Sequence, residues 1–137
     1  MNQTFEFILG LSLAYAKIAK MMDRCLSLHG ISFSEYLVMY ELSKTTNQSM
    51  RRIDLAEKTN MSASGITRLL NPMEKLNIVE KEQNARDARV SLVKLTPVGL
   101  ELFTNATQSV QESAKTFLGA LDQKSMEQFL AIIAKIR

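Results

Sequence analysis

Residues 50–99 read MRRIDLAEKTNMSASGITRLLNPMEKLNIVEKEQNARDARVSLVKLTPVG, and the order of patterns within them decides the fold. Arg51 to Thr59 reads as a short helix that turns Ile53, Leu55 and Ala56 inward. Thr59, Asn60 and Met61 make a turn before Ser62, whose hydroxyl suits the cap of the next helix. From Ser62 to Lys75, a step of about 100° per residue places Ile66, Leu69, Leu70, Met73 and Leu76 on one arc, with Ser64, Thr67, Arg68, Asn71 and Lys75 opposite. Two β-prone segments follow, Ile78 to Glu82 and Val90 to Thr96, joined by a polar tip from Gln83 to Arg89. Short helix, turn, longer helix and ribbon is the spacing of a helix-turn-helix with a wing, which predicts a reader of duplex DNA.

The polar arc carries the chemistry such a reader needs in the major groove. Arg68 can fork onto guanine, Asn71 can make two hydrogen bonds to adenine, and Ser64 and Thr67 can bond bases or phosphates. Ser62, at the helix start, brings its hydroxyl and the first free N–H groups toward a phosphate. Arg51 and Arg52 are placed to anchor the DNA backbone, while Arg86 and Arg89 at the ribbon tip suit the negative potential of a narrow minor groove. Asp87 would repel DNA, so its expected task is to pair with an arginine and fix the tip. Pro72 supplies no N–H to the carbonyl of Arg68, which predicts a kink or early helix end and ranks Asn71 and Lys75 behind the earlier contacts. A solvated helix face and an ordinary charged hairpin are the plain readings of each part alone; their succession is what favours DNA.

Charge placement agrees. Positions 50–97 hold nine Lys or Arg against six acids, and so carry the whole net charge of +3, while the other 89 residues balance eight against eight. A locally basic segment on a neutral body is the footprint expected of phosphate binding. With 137 residues, 46% of them apolar and 23% charged, a single core is expected. The single cysteine, Cys25, excludes an internal disulfide and a Cys-rich zinc site, and fits a reducing cytoplasm. Phe7 to Ala16 is apolar, but no cation precedes it, Glu6 occupies the place of a positive flank, and the run is far too short to span a membrane. It reads as a core or interface helix. Nothing resembles paired catalytic carboxylates, a metal cluster or a phosphate-cradling Gly loop, so no catalytic residue, metal or cofactor is expected.

The two ends of the chain are apolar on more faces than a small monomer can bury. Phe7, Leu11, Tyr15, Ile18, Met22 and Cys25 repeat with helical spacing, and Phe5, Ile8, Leu9 and Leu13 cover much of the remaining circumference. Leu100, Phe103, Thr107, Val110, Ala114, Phe117 and Leu121 step by three and four. Met126, Phe129, Leu130, Ile133 and Ile136 continue after a break at Leu121 to Lys124, where Asp122 is the expected cap. Between the ends, Ser32 or Ser34 can cap a helix with Phe33, Tyr36, Leu37 and Tyr40 on one side, closed by the polar run Lys44 to Ser49. A symmetric dimer would bury the terminal faces; a monomeric bundle would have to use them all internally.

DLAEKTNMSASGITRLLNPMEKLNIVEKE followed by RDARVSLVKLTPVG resembles the multiple-antibiotic-resistance regulator (MarR) family of bacterial transcription factors, and the likeness extends over essentially the whole chain. Its most specific element is Asp87-Ala88-Arg89 followed by Leu95-Thr96 and Gly99, similar to the family's wing pattern. The resemblance implies a mainly α fold with a small β-wing, in which the winged helix-turn-helix (33–97) is flanked by dimerisation helices (1–30 and 98–137). It further implies a homodimeric repressor of a pseudo-palindromic operator on double-stranded DNA, with one recognition helix per half-site and each wing in the adjacent minor groove. Many members release DNA when a small aromatic molecule enters the crevice between the two lobes, for which Tyr15, His29, Phe33, Tyr36, Leu37 and Tyr40 are the candidates here. Some relatives sense oxidants through an N-terminal cysteine, and Cys25 stands four residues before His29, which would put both on one helix face. Against that, Cys25 lies on the apolar stripe, where a buried inert thiol is the default. The alternatives are a winged-helix module that docks another protein and a redox-sensing regulator acting through Cys25.

Overall fold

The computed structural model describes every residue of the chain except Ala88. Its elements run α1 (Gln3–Leu26), a 3-10 turn (Ser27–His29), α2 (Phe33–Ser43), β1 (Ser49–Arg51), α3 (Arg52–Thr59), α4 (Ala63–Lys75), β2 (Val79–Gln83), β3 (Ser91–Leu95), α5 (Pro97–Phe117) and α6 (Gln123–Ile136). This is the mainly helical, small-winged architecture expected from the patterning.

Local chemistry sets the boundaries. α1 starts where the Asn2 side chain accepts a hydrogen bond from the Phe5 amide, and the 3-10 turn after it closes on Gly30 at φ 74°, a left-handed conformation that glycine adopts without steric cost. Ser32, not Ser34, caps α2, through a reciprocal box in which Glu35 N–H donates to Ser32 Oγ (3.1 Å) and Ser32 N–H to Glu35 Oε1 (2.8 Å). α3 stops at Asn60 (φ 56°). α4 is capped by Ser62, whose Oγ accepts from Gly65 N–H at 3.0 Å, and it continues through Pro72 to Lys75. The helix end anticipated at Pro72 is therefore not there. Pro72 lies on the exposed side, where the carbonyl it leaves unbonded need not be buried dry. As anticipated, Asp122 opens α6, its Oδ1 accepting from Ser125 N–H at 2.7 Å.

The wing differs from the two-stranded ribbon expected. A third strand, β1, lies beside it in an antiparallel sheet of order β1-β3-β2. The register pairs Met50 with Val93 and Arg51 with Leu92 on one side of β3, and Val79 with Leu95 through Gln83 with Ser91 on the other. Ser49 belongs to this strand and Arg51 precedes α3, so both were assigned to the wrong neighbours by sequence alone.

The core sits between the helix-turn-helix, the sheet and the adjoining halves of α1 and α5. Leu26, Val38, Met39, Leu42, Leu55, Ile66 and Met73 are wholly buried, and Ile31, Leu70, Ile78, Val93, Leu95 and Ala106 are among those packed with them. Two residues assigned inward are not: Ile53 is 67% exposed and Leu76 is 63% exposed. Ile53 opens the short α3, which turns Leu55 and Ala56 to the core, and Leu76 falls just past the last residue of α4 as the chain swings away. Outside this core the picture reverses. Every residue up to Lys17 is exposed, and α6 buries none of its side chains. Among the described residues no helix is long and apolar enough to cross a membrane.

Candidate nucleic-acid interface

The sequence arcs of α4 separate as geometry requires. Ile66, Leu70 and Met73 are buried, Leu69 packs at the edge of the core, and Ser62, Ser64, Thr67, Arg68, Asn71 and Lys75 are all exposed. This leaves an uninterrupted polar face on a helix held by its apolar back, free of any core duty. At its start Ser62 Oγ lies 3.3 Å from Ser64 Oγ, so two hydroxyls gather where the first helical N–H groups are open.

Two arginines stand at the start of the neighbouring helix, Arg51 at its cap and Arg52 as its first residue, each with a partner. Arg51 grips Asp54 with both arms of its guanidinium, Nε to Oδ2 at 2.9 Å and Nη2 to Oδ1 at 3.1 Å. That pairing holds the Asp54 carboxyl below the usual carboxylate range and raises the already high pKa of Arg51. Arg52 Nη1 donates to Thr67 Oγ1 at 3.3 Å, which ties α3 to the polar face of α4. Asp54 was not among the residues singled out from sequence. Its signal was the Arg51-to-Asp54 spacing of three, which puts both on one side of the chain's first turn.

The wing tip is organised by its own side chains. Asn84 Oδ1 accepts from Arg86 N–H at 2.8 Å, and Asp87 Oδ1 accepts from Arg89 N–H at 3.0 Å. Asp87 also pairs with the Arg89 guanidinium, Nε to Oδ1 at 3.1 Å and Nη2 to Oδ2 at 3.3 Å. The expected Asp–Arg pair is thus present, and the hydrogen bonds from Arg89 hold the Asp87 carboxyl below its ordinary pKa. Arg86 and Arg89 are both exposed. Ala88, between them in the motif, lies outside the described residues.

The six crevice candidates fall into two places. Tyr15, Leu37 and Tyr40 line an open cleft of about 540 Å³ together with Glu41, Lys58, Thr59, Asn60 and Arg137. Tyr36, Phe33 and His29 do not line it. Tyr36 is buried, its ring stacked on Phe103 with centroids 5.1 Å apart and its hydroxyl 2.7 Å from Thr107 Oγ1, and burial pushes its pKa up. Phe33 packs against the core, its amide donating to Asp23 Oδ1 at 2.7 Å. His29 Nε2 is 2.7 Å from Ser109 Oγ. Nor do Cys25 and His29 share a helix, because α1 ends at Leu26 and His29 belongs to the 3-10 turn. Cys25 is half-buried, with Sγ 3.4 Å from the Met22 carbonyl oxygen. Lys58, Thr59 and Asn60 reach the cleft from the end of α3 and its cap, and Arg137 from beyond α6, a meeting of distant segments that no local pattern could have shown.

A family model described as transcriptional regulator SarA/Rot matches residues 20–106, from within α1 to within α5. Curated relatives include the uncharacterized HTH-type transcriptional regulator YdgJ of Bacillus subtilis, 25% identical over 61% of this chain; the match spans 51% of that protein, about half its length. The HTH-type transcriptional repressor MdtR of Bacillus subtilis is 24% identical over 93% of this chain and 81% of its own. Among solved structures, Sco3205 of Streptomyces coelicolor, a MarR family transcriptional regulator in complex with DNA, superposes with a TM-score of 0.86 at 16% identity, covering 99% of this chain and 87% of that one. Its likeness is one of fold. These relatives are named as transcriptional regulators. Taken with the winged helix-turn-helix and its exposed polar face, the match over residues 20–106 places this chain in the SarA/Rot family of transcriptional regulators, built on the MarR winged-helix fold.

Proposed function

We propose that the protein works as a homodimer that reads a pseudo-palindromic DNA duplex and represses transcription from it. Residues 33–97 are the reader, and 1–30 with 98–137 join the two copies. The observation that carries this is the state of the terminal helices. α6 buries nothing, yet it displays Phe129, Leu130, Ile133 and Ile136, while α1 displays Phe5, Phe7, Ile8, Leu9, Leu11 and Leu13. Contiguous apolar surface on that scale marks an interface, and a twofold partner covers it with its own equivalent.

In this reading Arg68 and Ser64 meet base edges in the major groove, with Thr67 and Asn71 beside them. Arg51, Arg52 and Ser62 hold phosphates, and Arg86 and Arg89 enter the minor groove while Asp87 keeps the tip in shape. The solved DNA complex of Sco3205 and the naming of MdtR as a repressor support the assignment. A small aromatic effector entering the cleft of Tyr15, Leu37 and Tyr40 is the proposed release signal. Lys58 and Arg137 side chains on the cleft wall suit a phenolate or carboxylate, and the acidic side chain in the lining, Glu41, is already paired with Lys44 at 3.2 Å.

Selection of bound duplexes from a random pool tests the proposal. A palindrome with half-sites about one helical turn apart is expected, with an affinity that falls steeply with salt, by roughly 0.9 log units per log unit for each phosphate neutralised. An asymmetric footprint left by a single chain would refute the dimeric reader, and salt-insensitive binding would refute the phosphate contacts.

A further inference from the structure

The end of α4 and the start of α5 meet at one buried point. α4 closes with Asn77 in the left-handed region (φ 60°), Asn77 N–H donating to Glu74 O at 3.0 Å and Ile78 N–H to Met73 O at 2.9 Å. Against this turn lies Thr96, 3% exposed and the cap of α5. Its Oγ1 accepts from Gly99 N–H at 2.9 Å and donates to Asn77 O at 2.6 Å, with Ile78 O 3.1 Å away. A hydroxyl has one hydrogen, so the nearer Asn77 carbonyl takes it; Ile78 O is served by the Thr96 amide at 3.1 Å. Gly99 closes the other side, since a Cβ there would collide with the Ile78 carbonyl oxygen.

A helix cap needs only the acceptor side of that hydroxyl. Its donor side, and the absence of a side chain at residue 99, serve something else: they clamp the turn that closes the recognition helix, at Asn77 and Ile78, onto the helix that leads to the dimerisation end. Rotation of α4 about this joint would change the distance between the two reading faces of a dimer. We propose that Thr96 and Gly99 are positioning residues for half-site spacing, fixing α4 to α5 so that the dimer accepts one separation of half-sites. This rests on the dimeric reading given above.

The test is equilibrium binding of wild type, Thr96→Ala, Thr96→Val and Thr96→Ser to the selected palindrome and to versions with one or two base pairs added or removed between half-sites. Wild type should prefer the native spacing. Thr96→Ala should narrow that preference by about tenfold, the scale of one buried hydrogen bond, with dimer mass and affinity for random duplex unchanged, and Thr96→Ser should retain it. Thr96→Val keeps the side-chain shape and serves as the second hydroxyl-free variant should Thr96→Ala not fold. A folded hydroxyl-free variant with the wild-type spacing ratio overturns the proposal, as does one that loses the same factor on every duplex. A wild-type protein that binds one half-site as well as two shows no spacing preference to perturb, and sinks the dimeric reading before any variant is made.

Discussion

The reader and the terminal helices use the same apolar residues to opposite ends. In the reader, Leu42, Leu55, Ile66 and Met73 find every neighbour they need within the chain and are wholly buried. At the termini, Leu13 is 72% exposed, Leu130 58% and Ile136 57%. The reader is therefore a finished unit whose polar face is held rigid from behind. The termini are left with uncovered apolar side chains. In the proposed dimer, recognition of a half-site belongs to each chain, and the spacing of two recognition surfaces belongs to the assembly.

The sharpest break in that comparison is a charge on α6. Ile133→Glu should leave each chain folded but separate, and affinity for the full palindrome should drop by about 10²–10⁴-fold, the gain that linking two weak sites confers. Gel-shift titration of whole and half operators measures it, and an unchanged ratio would mean that α6 joins nothing. Next in size is the reader's own core. Leu70→Ala, behind the recognition face, should cost about 2–5 kcal/mol of unfolding free energy in denaturant melts, because a cavity there has no partner to refill it. Leu130→Ala should instead alter how the melting temperature depends on protein concentration. Smaller still, Arg68→Ala should lose about 1–3 kcal/mol on the selected site and relax preference at one base pair, whereas removing Arg52 should weaken all sequences alike.

Acid should have the smallest effect, and it should fall on the reader's rim. Asp54 and Asp87 have folded pKa values below the ordinary 3.8, each lowered chiefly by its arginine. Such groups contribute stability above the unfolded pKa and lose it as the pH falls through the lower folded value. Both carboxylates are open to solvent, so the contribution is small, and a melting series should show no change from these pairs between pH 8 and pH 5 on the scale of exposed ion pairs. Asp87→Asn should abolish what acid sensitivity the wing tip shows below that range.

How far this architecture was legible in the sequence follows from which forces are local. The arc arithmetic on α4 placed Ile66, Leu70 and Met73 correctly because a 13-residue helix repeats its face several times. β1 escaped because three residues, with Met50 alone between polar neighbours, are too few to establish a period of two, and the strand exists only through pairing with β3, over forty residues away. Ile53 and Leu76 misled because both stand at helix ends, where the periodic rule no longer fixes direction. In the candidate site, the residues proposed to face DNA came from one continuous segment and all lie outside the core. The cleft is assembled from α1, α2, the end of α3 and the chain's last residue, and half of its expected lining is engaged elsewhere: Tyr36 in the α2–α5 contact, His29 of the 3-10 turn with Ser109 on α5, and Phe33 at the core beside Asp23 of α1.

The most direct test of the central claim is the light-scattering mass of the purified protein at micromolar concentration, alone and with the selected palindrome. A dimeric reader gives twice the chain mass in free solution and puts two chains on each duplex. A single-chain mass that persists with one chain on the full palindrome would contradict it.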